Sequence, residues 1–219
     1  MSSIQELIDT KLAKKNEGEF EKRNTGKYHP SSLGRCYRMQ YWQRKGEKPS
    51  NPPDARTLRV FQAGHLFHDF IQQYLPKHEV EVVCEAKNIK GSADIVTDDT
   101  VIDIKSQHSR AFWWMKKKGA DIRKEKYNNW LQVACYAFIL DKPKLRLVFI
   151  SKDDLCITEY NDTLANWSEE LTKEVRTLDG IWEEDVLPAA TPRCYNGKEC
   201  DYCNFKSKCK EKEDESKSN

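Results

Sequence analysis

Between Gly91 and Ser106 the chain reads Gly-Ser-Ala-Asp-Ile-Val-Thr-Asp-Asp-Thr-Val-Ile-Asp-Ile-Lys-Ser, and that run leaves few folds open. Val96, Val101, Ile102 and Ile104 are β-branched and favour strands, while Thr97 to Thr100 supplies a turn. A tight hairpin is expected. Side chains alternate across a strand, so Asp103 and Lys105 share one face and Ile104 takes the other. Asp94 lies near the end of the partner strand, from which both carboxylates can reach one divalent cation, with Lys105 beside it to meet water or phosphate. Two carboxylates and a lysine around a metal suit phosphodiester hydrolysis. The competing reading is a solvated hairpin with surface charges, and an Asp-x-Lys triplet alone does not separate the two.

The 219 residues suffice for one packed catalytic domain, with or without a small appendage. No apolar run approaches membrane-spanning length and the first residues carry no apolar signal segment, so a cytoplasmic protein with no membrane partner is expected. The net charge of +2 conceals a local excess. From Lys105 to Lys126 eight basic residues face only Asp121 and Glu125, with Phe112, Trp113 and Trp114 among them. Cations interleaved with rings suit a nucleic-acid strand, whose phosphates meet the one and whose bases stack on the other. A solvated loop over aromatic core anchors is the alternative.

Eight cysteines in a chain expected to be intracellular point to metal or cluster ligation rather than disulfides. Cys84, Cys135 and Cys156 fall in apolar or strand-like runs and read as buried small hydrophobes. Cys194, Cys200, Cys203 and Cys209 crowd the last 26 residues, and Cys36 stands apart near the front. Four thiolates can hold zinc or an iron-sulfur cluster, and their spacing does not decide between them.

Along the chain, Ser3 to Glu6 is a capping box opening a short amphipathic helix (Ile4, Leu7, Ile8, Leu12), and residues 14–28 read as a polar linker. Pro30-Ser31 starts a second helix with Leu33, Cys36, Tyr37 and Tyr41 on its inner face, stopped by Gly46 and Pro49. Asp54 to Leu75 is a long helix with Leu58, Phe61, Leu66, Phe70 and Tyr74 at apolar positions. In it Gly64 permits a close approach, and His68 follows one turn later on the same face. Alone, such a histidine reads as a hydrogen-bonded core residue. A strand is expected from Glu79 to Cys84, and a helix from Tyr127 to Leu140 carries Gln132 and Tyr136 one turn apart. A second hairpin pairs Lys144–Ile150 with Leu155–Tyr160. Thr163 to about Glu184 forms an acidic helix with Leu164, Trp167, Leu171, Val175 and Leu178 inward, ended by Pro188 and Pro192. Residues 1–30 are thus a helix and linker, 31–187 the core, 188–210 a cysteine lobe completed by Cys36, and 211–219 a charged, frayed tail.

In order, Gly64-x3-His68, Gly91-x2-Asp94, Asp103-x-Lys105 and Gln132-x3-Tyr136 resemble the motif series of the RecB-like branch of the PD-(D/E)XK nucleases. Cys36 ahead of them and Cys200-x2-Cys203-x5-Cys209 behind are similar to the iron-sulfur members of that branch: the CRISPR-associated Cas exonucleases, AddB-type recombination nucleases and related phage enzymes. The resemblance spans roughly residues 31–210. Ala93 stands where the family often has proline, and Cys194 is an additional candidate ligand, the substitute if Cys36 is buried elsewhere.

The resemblance implies an α/β, restriction-endonuclease-like fold: a central mixed β-sheet flanked by helices, with a small cysteine-ligated lobe. It implies that His68, Asp94, Asp103 and the Ile104 carbonyl hold Mg²⁺ or Mn²⁺, and that Lys105 orients or deprotonates the nucleophile. Gln132 and Tyr136 would hold the scissile strand or the lysine. Glu85 would be an auxiliary carboxylate, or else a solvated strand-end residue. Cys36, Cys200, Cys203 and Cys209 would ligate a 4Fe-4S cluster, with zinc as the alternative. The activity implied is metal-dependent exonuclease action on single-stranded DNA ends in phage or bacterial recombination, repair or replication, with protein partners from such a complex. Trimming of DNA ends in CRISPR adaptation is an alternative with the same chemistry. A non-catalytic zinc-containing nucleic-acid-binding module is one of another class, disfavoured by the intact Asp94, Asp103 and Lys105 set.

Overall fold

The hairpin around Asp94 and Lys105 lies in the middle of a five-stranded sheet. In the computed structural model, which describes residues 2–23, 25–76 and 78–217, the helices are α1 (Ile4–Arg23), α2 (Tyr37–Arg44), α3 (Ala55–Gln72), α4 (Ser109–Met115), α5 (Ile122–Glu125), α6 (Tyr127–Ile139), α7 (Ser168–Glu184) and α8 (Lys206–Lys217). The strands are β1 (Glu79–Ala86), β2 (Ile89–Val96), β3 (Thr100–Gln107), β4 (Lys144–Ser151) and β5 (Ile157–Thr163), side by side in that order. β3 pairs with β4 in parallel and all other pairs are antiparallel. A parallel pair needs a crossover, and α4, α5 and α6 provide it. The fold is therefore a mixed α/β sheet flanked by helices, as expected.

On one face of the sheet α6 and α7 cover Val101, Leu145, Leu147 and Phe149, with Trp130, Leu131 and Trp167 filling the layer between. On the other, α3 lays Ile71 against Ile95, Ile102, Ile104 and Val148. Helix α6 is buried from Trp130 to Ala137 because the sheet, α7 and a 3-10 turn at Pro30–Ser32 all pack on it. A third cluster, Cys36, Met39, Tyr41 and Trp42 around Phe205, joins α2 to the cysteine-rich C-terminal lobe. Among the described residues no helix is long and apolar enough to cross a membrane.

Several expected boundaries move. The linker expected at 14–28 is largely helix, since α1 runs on to Arg23 and is tied to α3 by an Arg59–Asp9 ion pair and by Lys15 donating to Gln62 at 3.0 Å. Its far end is buried rather than solvated: Tyr28 pairs with the start of β2 and donates its hydroxyl to the Leu178 carbonyl at 2.8 Å. Met1 and Asn24 lie outside the described residues. The helix expected from Pro30 is broken by Gly34 at φ +75°, so only the 3-10 turn forms there and α2 starts at Tyr37, with Cys36 at its N-cap. Of the apolar positions of α3 only Leu58 is buried. Phe61, Leu66, Phe70 and Tyr74 are exposed, because a single helix covers this face and turns Ile71 inward. Cys84 and Cys135 are buried as expected, but Cys156 is only half-buried. Helix α7 ends at Asp185 in the left-handed region, φ 51°, ahead of either proline. The tail expected to fray is helical through Lys217, while Ser218 and Asn219 lie outside the described residues.

Candidate active site

The two central strands part where the carboxylates are. β2 and β3 pair only at Ile95–Ile102 and Val96–Val101, and beyond them the Asp94 carboxylate accepts the Ile104 N–H at 2.7 Å. A side chain thus takes the place of a backbone carbonyl and opens a cleft within the sheet. Asp103 is buried in it, with Oδ1 accepting from Lys105 Nζ at 2.8 Å. Its Oδ2 is also buried but has no partner. An unsatisfied buried acceptor costs about 1–3 kcal/mol, and more when charged, so this oxygen fits a cation.

Helix α3 brings in His68, whose Nδ1 lies 3.6 Å from Asp94 Oδ1. The two motif glycines differ in what they do. A Cβ on Gly64 would stand 3.6 Å from Ser106 Oγ, an ordinary contact, so α3 passes close to β3 without requiring glycine. A Cβ on Gly91 would meet Pro30 Cδ at 2.8 Å and the Tyr136 hydroxyl at 2.9 Å, so here glycine is needed. Tyr136 thereby approaches from α6, with Gln132 buried one turn before it. His68 and Asp94 thus meet where the sheet parts, Asp103 and Lys105 pair on the neighbouring strand, and Tyr136 reaches Gly91 from α6.

Sequence reasoning missed Glu81. Its carboxylate, His68 and Asp94 present donor atoms within 4.8 Å of one another. Glu81 sits in β1 opposite Asp94, between the Val80–Ile95 and Val82–Ala93 pairs, with φ at +51°. Such a conformation costs a non-glycine residue on the order of 1 kcal/mol and concentrates at functional sites. Gln72 and Ser92 hold its two oxygens at 3.4 and 3.3 Å. In the alternating run Glu79-Val-Glu-Val nothing distinguishes it from Glu79. Glu85, the auxiliary carboxylate considered from sequence, instead pairs with Lys27 and Lys90 at 2.8 and 2.9 Å, which hold its pKa down to about 2. It is the solvated strand-end residue.

Charge in the cleft is finely placed. Burial pushes Asp103 up to about 6, with Asp94 adding to the shift, and burial raises Asp94 as well. Burial and then Lys105 depress His68, favouring the neutral imidazole that ligates metals. Burial opposes the Lys105 ammonium, but Asp103 and Asp94 outweigh it and keep it protonated. Burial, with both carboxylates, holds the Tyr136 phenol well above its ordinary value, so it remains a donor. Metal ligation requires ionised carboxylates, so affinity should rise as pH climbs through about 6 and Asp103 loses its proton. The shift in melting temperature on adding Mg²⁺ or Mn²⁺ is expected to be larger at about pH 8 than at about pH 5. Equal shifts would remove Asp103 from the ligand set.

The cysteines also separate. Cys36, Cys200, Cys203 and Cys209 line one cavity of about 190 Å³ between α2, α8 and the 3-10 turn Glu199–Tyr202. Arg38 Nη1 donates to Cys209 Sγ at 3.3 Å and the Phe205 N–H to Cys203 Sγ at 3.4 Å, and Lys206, Lys210, Glu199 and Glu213 complete a lining of mixed charge. Cys194 is not part of it. It lies against Arg35 and Glu199, where burial pushes its pKa to about 11.

Two buried glutamates, invisible in a chain with many, fasten this lobe to the core. Glu174 accepts from Gly34 N–H at 2.8 Å, from the Tyr37 hydroxyl at 3.1 Å and from both Arg193 Nη atoms at 2.9 and 2.7 Å. Glu199 accepts from the Cys36 N–H at 3.0 Å, the Arg193 N–H at 2.8 Å and Arg35 Nε at 3.3 Å.

The basic stretch divides between its two readings. Phe112 and Met115 of α4 are core anchors, whereas Trp113 and Trp114 are 45% and 57% exposed. Lys116 lies 5.2 Å from the Trp113 ring and Lys117 lies 4.5 Å from that of Trp114.

No protein-family model and no curated protein sequence matches this chain. Among solved structures it is similar to SSO0001, at 20% identity and a TM-score of 0.60, over 92% of this chain and 93% of that one. It is also similar to the alkaline exonuclease LHK-Exo from Laribacter hongkongensis, at 16% identity and a TM-score of 0.56, over 77% of this chain and 93% of that one. The complex of LHK-Exo with dAMP matches at 17% identity and a TM-score of 0.52, over 77% and 95% of the two chains. At these identities the likeness is one of fold, and the fold is restriction-endonuclease-like.

Proposed function

We propose that the chain is a divalent-metal-dependent deoxyribonuclease that removes nucleotides from single-stranded DNA ends. The buried Asp103 carboxylate, with one oxygen on the Lys105 ammonium and the other unpartnered, one residue from the Ile104 N–H that Asp94 holds, carries this reading. A shared fold with an alkaline exonuclease, one form of which holds dAMP, supports it. His68, Asp94 and Asp103 with the Ile104 carbonyl, joined by Glu81, would hold Mg²⁺ or Mn²⁺, the imidazole making manganese acceptable. Bound there, the metal supplies a water of lowered pKa and neutralises charge on the phosphate. The Lys105 ammonium orients the water and the phosphate oxygens, and Asp103 fixes the lysine through its 2.8 Å hydrogen bond. The Tyr136 phenol, which burial keeps protonated and which lies against Gly91 of β2, would steady the scissile strand or the lysine. A non-catalytic binding module needs no buried, partly uncompensated carboxylate, which disfavours that alternative.

Residues 31–187 form the nuclease core in this scheme, and residues 188–210 with Cys36 the cluster lobe. Four thiolates on one zinc stand about 3.8 Å apart, given bonds of about 2.3 Å. The four thiols around one cavity could hold either zinc or a cluster, and the resemblance of their x2 and x5 spacing to the iron-sulfur nucleases favours the 4Fe-4S cluster. Arg38, Lys206 and Lys210 around the cavity outnumber Glu199 and Glu213 there. The biological setting that suits such an activity is phage or bacterial recombination, repair or replication.

With Mg²⁺ or Mn²⁺, linear single strands should shorten from an end while circular ones of the same length persist. Cutting of the circle would make the protein an endonuclease, and no cleavage of either would overturn the nuclease reading. Replacing Lys116, Lys117 and Lys118 by Glu should weaken binding to single strands of any sequence. Three lost phosphate contacts should also make the slope of log K against log salt shallower by about 2. Unchanged affinity and slope would mark the segment as a solvated surface.

A further inference from the structure

The side of α3 that carries His68 runs on beyond the site. Phe61, His65, His68 and Gln72 are spaced by four, three and four residues, which sets them along one side of the helix. The last two are in the site: His68 Nδ1 lies 3.6 Å from Asp94 Oδ1, and Gln72 Nε2 donates to the Asp94 carbonyl at 3.0 Å and to Glu81 at 3.4 Å. The His65 ring stands edge-on to that of His68, centroids 6.3 Å apart. Helix α3 runs opposite to β3, because Ile71 packs on the cluster of Ile102 and Ile104 while a Cβ on Gly64 would stand 3.6 Å from Ser106 Oγ. His65 and Phe61 therefore continue past Lys105 toward the far end of β3. At ~1.5 Å per residue, Phe61 is about 10 Å along the helix from His68. Both residues are exposed, Phe61 at 54%, although they share the side that closes on the site two turns later. Leu66 and Phe70, also exposed, take the opposite side of the helix.

Resting on the nuclease reading above, we propose that Phe61 and His65 form a stacking face for the bases of the single strand whose scissile phosphate lies at His68 and Asp94. Continuity names the occupant: one helix side carries both the exposed rings and the histidine at the site, so a strand held at the one end passes over the other. Stacked nucleotides rise about 3.4 Å each along a strand, so the ~10 Å from His68 to Phe61 spans about three of them. Every base offers a π-face, so two rings on this path hold a single strand without selecting its sequence. Phe61 and His65 hold substrate in this scheme and take no part in the chemistry, which belongs to His68 and the groups of β2 and β3.

The test measures binding of short single strands in the Asp103→Asn background, where cleavage does not intervene, and compares ordinary strands with fully abasic ones. Adding Phe61→Ala should weaken binding of the ordinary strand roughly 5- to 150-fold, the range that loss of one base–aromatic stack spans. Phe61→Trp, which keeps a ring, should restore it. Leu66→Ala, an exposed apolar residue on the opposite side of the same helix, should bind as the parent does. On the abasic strand Phe61→Ala and its parent should bind alike. Unchanged affinity in Phe61→Ala, an equal loss on abasic strands, or an equal loss in Leu66→Ala would overturn the stacking face. Should Phe61→Ala not fold, His65→Ala is judged by the same two strands. Cleavage by the wild type and its loss in Asp103→Asn test the nuclease reading separately, so that reading stands or falls whatever Phe61 does.

Discussion

Asp103→Ala is expected to lower cleavage of single-stranded DNA at least about a thousandfold while leaving affinity for the strand within about twofold. The carboxylate is buried against Lys105, lies near Asp94 and His68, and ends in an oxygen with no protein partner. Removing it takes away a proposed metal ligand and the fixed partner of the lysine together. Metal assistance in phosphoryl transfer is worth several kcal/mol, and every ~1.4 kcal/mol is tenfold in rate. None of the exposed basic path runs through Asp103, so binding should persist. Alanine also strands the Lys105 ammonium in a largely buried site, which costs stability. Asp103→Asn is the cleaner variant, because it keeps the shape and an acceptor for Lys105 while losing the charge. Both should be inactive and should show no thermal shift with Mg²⁺. Lys105→Ala should be as inactive but keep the shift. Near-normal digestion by Asp103→Asn would end the assignment of this cleft as the active site.

The hairpin, the face shared by Asp103 and Lys105, and the α6 pairing of Gln132 with Tyr136 were all legible because they rest on local periodicity. The convergence of His68 on Asp94 was not, since nothing in α3 says which strand it crosses; only the ordered motif series suggested it. Glu81 was hidden for a deeper reason. Its role depends on a left-handed backbone and on the register of β1 with β2, neither of which an alternating Glu-Val run encodes. Glu85, by contrast, is a strand-end glutamate between two lysines, and charge pairing explains it completely. Composition misled at residues 14–28, where few apolar side chains suggested a linker. A helix can be held by Asp9 and Lys15 on its polar surface and by the buried Tyr28 beyond its end. Glu174 and Glu199 escaped notice because burial alone sets them apart from their neighbours.

Those two glutamates sharpen what loss of the proposed cluster should do. Cys203→Ser is expected to bleach the visible iron-sulfur absorbance and to lower the unfolding temperature by more than about 5 °C, at ~2–4 °C per kcal/mol for a chain of this length. The lobe has little apolar content of its own: Phe205 against Trp42 is its main buried contact, and the four thiols surround a cavity of about 190 Å³ that a cluster would fill. Ligation free energy is folding free energy in such a lobe. The Glu174–Arg193 and Glu199–Cys36 contacts are independent of the cluster, so the core should remain folded and near-native in far-UV circular dichroism while the lobe loosens. Cys36→Ser should behave like Cys203→Ser, because Cys36 lines the same cavity from α2. Cys194→Ser should do neither, since Cys194 is not among the residues that line the cavity. Bleaching by Cys194→Ser but not by Cys36→Ser would mean that the ligands all come from the C-terminal segment and that no cluster joins the two ends of the chain.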